Sequence, residues 1–560
     1  VEGGDDRGRK VWKLNRPLYG LKNSGRLFHR QFRRQLVHEW GFQSGYADVC
    51  FFTKRRNGSM LRLLVFVDDL LVINDDTPDG RALREEFEQA IAKKGYEFST
   101  SDDNHVYLGI AIHRIAPTVI HVTQQGYIEK TFLKFGFIDS DGKLLCKPVK
   151  TPAPSGAGPV MKLDCPDCDP DDNPLRQRYL EWCGVLRWCE VGTRPDISAV
   201  LSELCRVQVN PGQKHFDRLE WLMRYVASTK DSGITYGGTR DRDAPDGALN
   251  LYTDSDWCGC VETRHSRGGF VATVWQGVVS WESSMIKAVA CSSCESEFMA
   301  AKRCVNEALW LRQLLEDMGY PKAMMAPTTC GKLCCKDYDM EQLTRLVDPA
   351  EKPLMLRDVP EHPPTLIGMD NQCALAYSKN AVHSKRTKHI DISWHKTKQE
   401  VNRGTVRLKY VKTGDNWADL MTKALPRVTH EFLVTKMLQK RINGRLCRFD
   451  DKVEIELDVR PPVRDVLYTE PTPGLDMEDT LTGGRFAPRK VNAEAAPRIP
   501  ARARGVGVPG GGLPKSLRQA AAREALQGAV AAVARDSSAM LAATATRDVL
   551  RAAVVAIVRE

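Results

Sequence analysis

Acidic residues stand at the ends of predicted strands in the second half of the chain, where they could bind a metal ion. The stretch LNLYTDSDWCG reads as a strand that ends in Asp254 and Asp256. These residues are two positions apart, so their side chains point to the same face of the strand. The stretch PPTLIGMDNQCALAYSKN reads as a strand that ends in Asp370 and leads into a helix.

Further acids lie on predicted helices of the same region. The amphipathic stretch CSSCESEFMAAKRCVNEALWLRQLLEDMG carries Glu295 and Glu297 in its first turn, and a later helix carries Asp419. Strand-end acids and one helix acid that meet at a sheet edge can hold two Mg²⁺ ions about 4 Å apart, as in two-metal nucleases. The simpler alternative is a set of solvated carboxylates at the ends of strands and helices.

A second acidic pair interrupts an apolar run near the start of the chain. The stretch LRLLVFVDDLLVIND contains Asp68 and Asp69 side by side, and uncompensated charge is costly in a buried strand. A tight hairpin could present both carboxylates to Mg²⁺, which usually arrives with substrate phosphates. Asp is also a common turn residue that needs no metal. This segment alone does not separate the two interpretations.

Turn signals and hydrophobic periodicity predict the elements that position these acids. Asn57-Gly58 predicts a hairpin that leads into the Asp68-Asp69 strand. The stretch DGRALREEFEQAIAKKG has apolar residues at helical spacing and predicts a helix that ends near Gly95. Another hairpin and helix follow, and residues 175–230 read as helices.

The order of motifs in the first part resembles the reverse transcriptase of copia-type retrotransposons. Leu-Tyr-Gly-Leu-Lys at 18–22 precedes Phe-Val-Asp-Asp at 66–69, and CKPVKTP and TRPDIS follow at 146–152 and 193–198. The resemblance covers roughly residues 11 to 440. It implies that Asp68 and Asp69 belong to the metal-binding hairpin of a polymerase palm.

The second part resembles the ribonuclease H domain of the same family. The motifs YTDSDWCG, SWESS, CSSCESEF, DNQCALAYSKN, RTKHIDI and NWADLMTKAL carry this resemblance. It implies four catalytic and metal-binding acids with two Mg²⁺ ions, for which Mn²⁺ could substitute: Asp254, Glu297, Asp370 and Asp419. Glu295 is then the alternative to Glu297, and Asp256 is a supporting or substrate-contacting residue.

The resemblance also implies a missing part. The family takes one essential palm aspartate from a strand well upstream of residues 18–22, and the polar, Gly-rich VEGGDDRGRK does not read as that strand. Asp5 and Asp6 do not replace it. We therefore expect a C-terminal piece of a polyprotein, and we expect that this chain alone has lost the ability to polymerise DNA.

Basic and aromatic residues are candidates for nucleic-acid contacts. The stretch HSKRTKHIDISWHKTKQE at 383–400 could bind phosphates without reading sequence, or it could be a solvated basic helix face. The specific candidates for nucleic-acid binding are Lys22, Arg386, Lys388 and His389. Trp257 and Trp281 are predicted to be core residues rather than base-stacking ones.

Composition sets the remaining expectations. A formal charge of +10 over 560 residues permits a polyanionic partner without requiring one. The 17 cysteines form no regular framework, which indicates reduced thiols inside the cell. No stretch reaches the roughly 18 apolar residues that span a bilayer, so no membrane partner is expected. Residues 321–363, which interrupt the second part, show no periodicity.

These observations predict a multidomain chain of the α/β and α+β classes. A truncated reverse transcriptase palm at 1–150 precedes a linker and helical thumb or connection at 151–248. A ribonuclease H-like mixed sheet with flanking helices at 249–440 contains the 321–363 insertion. A tail at 441–560, partly disordered and partly helical, contains a composition shift near 460.

The predicted function is hydrolysis of RNA in an RNA–DNA hybrid, attached to an incomplete RNA-directed DNA polymerase. The alternative is a decayed, inactive element that at most binds nucleic acid. Expected partners are the hybrid, template–primer nucleic acid and other polyprotein products such as an integrase and a capsid protein. The expected location is the cytoplasm, in a virus-like particle, and also the nucleus.

Overall fold

A computed structural model gives the fold of most of the first 448 residues. The residues that it describes are 24–67, 69–96, 98, 105–116, 119–237, 249–274, 276–320, 364–379, 396–442 and 445–448.

The strands in this part of the chain are β1 (Gln43–Ser44), β2 (Phe51–Arg56), β3 (Ser59–Phe66), β4 (Asp69–Asn74), β5 (His105–Tyr107), β6 (Ile110–Ala116), β7 (Val119–Thr123), β8 (Ser232–Tyr236), β9 (Asn250–Asp256), β10 (Arg267–Val274), β11 (Gly277–Met285), β12 (Thr365–Met369), β13 (Val406–Tyr410), β14 (Leu438–Ile442) and β15 (Arg445–Arg448). The α-helices are α1 (Ser24–Arg34), α2 (Pro78–Lys93), α3 (Gln125–Lys134), α4 (Arg176–Gly192), α5 (Ser198–Leu204), α6 (Gln213–Ser228), α7 (Ser293–Asp317), α8 (Gln372–Lys379), α9 (Lys396–Asn402), α10 (Asp419–Thr422) and α11 (Arg427–Met437). The predicted mixture of sheets and helices is confirmed.

The first sheet is antiparallel, in the order β1-β2-β3-β4. The predicted β2–β3 hairpin is confirmed, because Asn57 and Gly58 both adopt positive φ, 49° and 85°, between the two strands. The predicted helix is also confirmed as α2, whose buried residues Leu83 and Phe87 pack with strand residues such as Leu61.

A six-stranded antiparallel sheet collects strands from three separate parts of the sequence. Its order is β15-β14-β8-β7-β6-β5. β7 pairs with β8, and β8 pairs with β14, so residues 119–123, 232–236 and 438–442 lie side by side. Strands β14 and β15 reach residue 448, and so they lie partly within the range 441–560 that the sequence predicted as the tail.

Helices α4 to α6 lie between the first and last parts of the chain and carry a buried charged network. Arg194 is fully buried and donates to both carboxylate oxygens of Asp196, at 2.9 and 2.8 Å. Tyr225 donates to the same carboxylate at 2.7 Å. A buried charge this well paired fixes the start of α5, and α5 packs against α10.

The third sheet has the order β11-β10-β9-β12-β13. β9, β10 and β11 are antiparallel, whereas β12 is parallel to both β9 and β13. The carboxyl ends of β9 and β12 therefore lie at the same edge of the sheet. Helix α7 packs across β9 and β10.

The far end of α7 contacts the first sheet. Two backbone N–H groups, those of Tyr46 and Ala47, each donate to Asp317 Oδ2 at 2.7 Å. The Trp310 indole donates to the carbonyl of Ala47 at 3.1 Å, and the buried Arg62 donates to the carbonyl of Met318 at 3.1 Å. A single helix thus joins the sheet of the β2–β3 hairpin to the third sheet.

No helix in the described ranges combines the length and the apolar character that crossing a membrane requires.

Candidate active site

The pairing of β9 with β12 places two acids side by side. Gly368 is opposite Tyr252 in the parallel register. Extending this register by two residues aligns Asp370, which follows β12, with Asp254 on β9. Asp254 is buried, whereas Asp370 is half-buried and accepts a hydrogen bond from the Thr413 hydroxyl at 2.8 Å.

The start of α7 gives the two helix acids different surroundings. The Ser292 hydroxyl caps the helix by accepting from the Glu295 N–H at 3.2 Å, and the Glu295 carboxylate accepts from the Cys291 N–H at 2.7 Å. Glu295 is therefore part of the helix cap. The Ser296 hydroxyl donates to the Ser255 hydroxyl at 2.7 Å, which holds this turn against β9.

Glu297, two residues further along α7, joins the strand acids. One carboxylate oxygen from each of Asp254, Glu297 and Asp370 lies within 4.8 Å of the others. Burial first, and then the charges of Asp254 and Asp370, raise the pKa of Glu297 to about 9. Its Oε2 atom is buried and has no hydrogen-bond partner in the described part of the chain.

The segment before α10 brings in the fourth acid. The Asn416 amide donates to the Thr253 carbonyl at 3.0 Å, and the Trp417 ring stacks on Tyr252 at 5.3 Å with an interplanar angle of 3°. Asp419, the first residue of α10, is thereby buried beside Asp254. Burial first, and then the charge of Asp254, raise the pKa of Asp419 to about 7.

We call the set of Asp254, Glu297, Asp370 and Asp419 the acid edge. Two further residues, which the sequence motifs did not single out, contact the acid edge. The Thr422 hydroxyl donates to Asp254 Oδ2, and the Lys423 ammonium lies 3.8 Å from the same oxygen and 3.5 Å from Asp419 Oδ2.

The close approach of α10 to the sheet depends on Gly269 of β10. A Cβ atom at this position would lie 2.3 Å from the Cβ of Met421, closer than two carbon atoms can approach. Only glycine therefore lets α10, and Asp419 with it, reach Asp254.

The acid edge suits a divalent metal. Its donors are carboxylate oxygens, the ligands that Mg²⁺ and Mn²⁺ prefer. Besides Glu297 Oε2, the Oδ1 atom of Asp419 is buried and lacks a hydrogen-bond partner among the described residues. Buried carboxylates without partners are costly, and bound cations would remove that cost.

Comparison with known proteins agrees with the motif order. Residues 3–150 match the family described as reverse transcriptase (RNA-dependent DNA polymerase). The chain is 28% identical over 431 residues to the Retrovirus-related Pol polyprotein from transposon TNT 1-94 of Nicotiana tabacum, an alignment that covers 76% of this chain and 28% of that protein. It is also 28% identical over 439 residues to the corresponding polyprotein from transposon RE1 of Arabidopsis thaliana, covering 78% and 25%.

The chain belongs to the copia-type retrotransposon Pol polyproteins and contains their reverse transcriptase region. The resemblance of the first part to the reverse transcriptase region of this family is thereby confirmed. This Pol chain spans about a quarter of the length of these two relatives, 28% and 25%.

Other predicted residues of the Pol chain lie away from the acid edge or outside the described residues. Asp69 is exposed at the start of β4, paired across the hairpin with Phe66. Asp68 lies outside the described residues, as do the insertion at 321–363 and the proposed nucleic-acid contacts Lys22, Arg386, Lys388 and His389.

The two tryptophans predicted to be core residues differ. Trp281 is buried, as predicted. The prediction was wrong for Trp257, which is 48% exposed and donates its indole N–H to the Ala290 carbonyl at 3.0 Å. It directly follows Asp256, whose half-buried carboxylate has its pKa raised chiefly by burial. An exposed aromatic side chain therefore stands three residues after Asp254 in the sequence.

Proposed function

We propose that this Pol chain hydrolyses the RNA strand of an RNA–DNA hybrid by a two-metal mechanism at the acid edge. The observation that carries the proposal is the convergence of Asp254, Glu297 and Asp370 within 4.8 Å, with Asp419 buried beside Asp254. These acids come from two strand ends and two helix starts. Carboxylates brought together from four elements favour a metal site over separately solvated side chains.

The strand order of the third sheet supports the same proposal. Three antiparallel strands are followed by two parallel ones, with α7 packed across the centre. A mixed sheet of this kind with flanking helices is what the resemblance to a ribonuclease H domain predicts for 249–440. The catalytic roles of the four acids and the division of the chain into palm, connection, nuclease and tail belong to this proposal.

Asp254 connects the two halves of the acid edge. It lies with Glu297 and Asp370 on one side and contacts Thr422 and Lys423 on the other. Bound Mg²⁺ ions would lower the pKa of an attacking water and stabilise the leaving 3′-oxygen.

The hydrogen bonds around the acids orient them for this task. The Thr422 hydroxyl fixes the Asp254 carboxylate, and the Thr413 hydroxyl fixes Asp370. Asn416 anchors the segment that carries Asp419 to the backbone of β9. Such supporting hydrogen bonds set the direction of a carboxylate and typically affect metal affinity or activity about 10- to 100-fold.

We infer that the hybrid is recognised by its backbone shape and by the 2′-hydroxyls of the RNA strand rather than by its bases. The exposed face of Trp257, three residues after Asp254 in the sequence, offers an apolar surface to a sugar or base. The basic candidates Arg386, Lys388 and His389 would supply phosphate contacts.

Cleavage of a labelled RNA–DNA hybrid in the presence of Mg²⁺ tests the proposal. The unmutated chain should cut the RNA strand, whereas Asp254→Asn and Asp370→Asn should bind the hybrid without cutting it. Asp415→Asn is the matched control. Asp415 lies on the same segment as Asp419, but its exposed carboxylate pairs with Lys436. Undiminished cleavage by Asp254→Asn would contradict the proposal, and binding without cleavage by the unmutated chain would favour a non-catalytic nucleic-acid binder.

A further inference from the structure

A lysine stands among the acids that would bind metal. The Lys423 ammonium lies 3.5 Å from Asp419 Oδ2 and 3.8 Å from Asp254 Oδ2, while its side chain remains 41% exposed. Lys423 directly follows α10, and α10 is held in place by Asn416, Trp417 and the close approach at Gly269. The ammonium is thus delivered to the acid edge by the same segment that delivers Asp419.

The position of the ammonium matters because the two halves of the acid edge are not equivalent. Glu297 and Asp370 form a carboxylate group with Asp254. The other half consists of Asp254 and Asp419, and there the ammonium already sits between the two carboxylates. A divalent ion bound to both carboxylates would need oxygen distances of about 2.1 Å. It would lie within a few ångströms of the ammonium, and two cations so close repel each other strongly.

We propose that Lys423 is a built-in competitor of the second metal ion. Its ammonium neutralises the Asp254–Asp419 pair when metal is scarce, and it swings out toward solvent when a divalent ion binds there. Metal binding is then sequential: the group of Asp254, Glu297 and Asp370 fills first, and the Asp254–Asp419 pair fills only at higher metal concentration. This inference rests on the proposed metal site. It adds that the second ion binds only at a higher metal concentration than the first.

Counting bound Mn²⁺ by electron paramagnetic resonance of the free ion tests the proposal on the full chain without a substrate. The unmutated chain should show one tighter and one weaker site. Lys423→Met and Lys423→Gln remove the charge, and both should tighten the weaker site about tenfold or more while changing the tighter site less than about twofold. Lys423→Arg keeps a cation and should keep the weaker site weak.

Lys436→Met is the matched control, because it removes one positive charge from a lysine that pairs with Asp415 instead of the acid edge. It should leave both dissociation constants unchanged. A purely structural role of Lys423 would lower the melting temperature of the neutral variants without tightening the second site, and that result would overturn the proposal. So would equal tightening in Lys436→Met.

Hybrid cleavage and Mn²⁺ binding, measured on the same samples, distinguish a failure of this inference from a failure of the proposed function. Hybrid cleavage by the unmutated chain, together with an unchanged second site in Lys423→Met, would remove the competitor role and leave the nuclease intact. Unaltered Mn²⁺ binding by Asp254→Asn would remove the metal site itself, and with it both proposals.

Discussion

The Asp68-Asp69 hairpin and the acid edge are both acidic, yet they are built in opposite ways. The hairpin pair is adjacent in sequence, and Asp69 lies exposed at the first residue of β4. The acid edge draws its carboxylates from four elements, and Asp254, Glu297 and Asp419 are all buried. Placing two acids together along a chain requires only a turn, whereas burying several acids side by side is unfavourable unless something binds them. Burial of like charges is therefore the better indicator of a metal site.

The same Asp→Asn substitution at the acid edge and at the hairpin should have very different effects on hybrid cleavage. Asp419→Asn should lower the rate of hybrid cleavage at least about a hundredfold, since the loss of a mere supporting residue already costs about 10- to 100-fold. Asp69→Asn should change that rate less than about twofold. Equal losses in the two variants would mean that the hairpin takes part in cleavage.

Primer extension tests the hairpin in its own reaction. We expect no template-dependent nucleotide incorporation by the 560-residue chain, because Asp69 is exposed and joins no group of three or more metal-ligating side chains among the described residues. Hybrid cleavage measured on the same preparation controls for correct folding. Incorporation that disappears in Asp69→Asn would show that the hairpin is a working polymerase site.

The pH dependence of metal binding tests the raised pKa values of the carboxyl groups at the acid edge. Metal ions bind the deprotonated carboxylates, and in the metal-free protein Glu297 and Asp419 have pKa values of about 9 and about 7. Mn²⁺ affinity should therefore rise as pH increases, by about tenfold per unit between pH 7 and 8 for Glu297 alone, and level off above pH 9. Calorimetric titration at several pH values measures this. An affinity that is flat from pH 6 to 9 would contradict the raised pKa values.

A smaller effect is expected from the hydroxyl that orients Asp254. Thr422→Val removes the hydrogen bond to Asp254 Oδ2 while keeping the shape of the side chain, and cleavage should fall about tenfold. Thr435→Val is a suitable control, because the Thr435 hydroxyl donates only to its own helix at the carbonyl of Phe432. Steady-state kinetics at saturating metal measures both, and equal rates in the two variants would assign Thr422 no orienting role.

The smallest effect on cleavage should come from the junction between α7 and the first sheet. Asp317→Ala removes the acceptor of two backbone N–H groups and should lower the free energy of unfolding by about 1–3 kcal/mol. Hydrogen exchange at residues 46 and 47 should speed up, while cleavage stays within about twofold. A large loss of cleavage would mean that the hairpin sheet supports the acid edge through α7.

Local signals in the sequence were enough for the β2–β3 hairpin and for the strands that carry two of the acids. Asn57-Gly58 predicts its turn because few residues tolerate positive φ, and Asp254 and Asp370 end apolar runs that read as strands. The resemblance already favoured Glu297 over Glu295, and the structure adds that Glu295 belongs to the helix cap whereas Glu297 lies with Asp254 and Asp370.

Other features depend on contacts that no local pattern encodes. Thr422 and Lys423 lie in the NWADLMTKAL motif, three and four residues after Asp419, but their role depends on where α10 meets β9. Strands β14 and β15 follow the last described helix, and the pairing of β14 with β8 is a contact between residues far apart in sequence. Trp257 resembles a core residue by type, and only the fold shows that it is half exposed.

Gly269 has a consequence for judging transposon copies by their genes. A change to alanine there would add one methyl group and push α10 from the sheet, so that the fourth carboxylate leaves the other three. Every acidic codon would still be intact. A survey of genomic copies that examines only the four acids would therefore count such a copy as having an intact site. The glycine codon in the neighbouring strand would indicate the loss of the site more reliably.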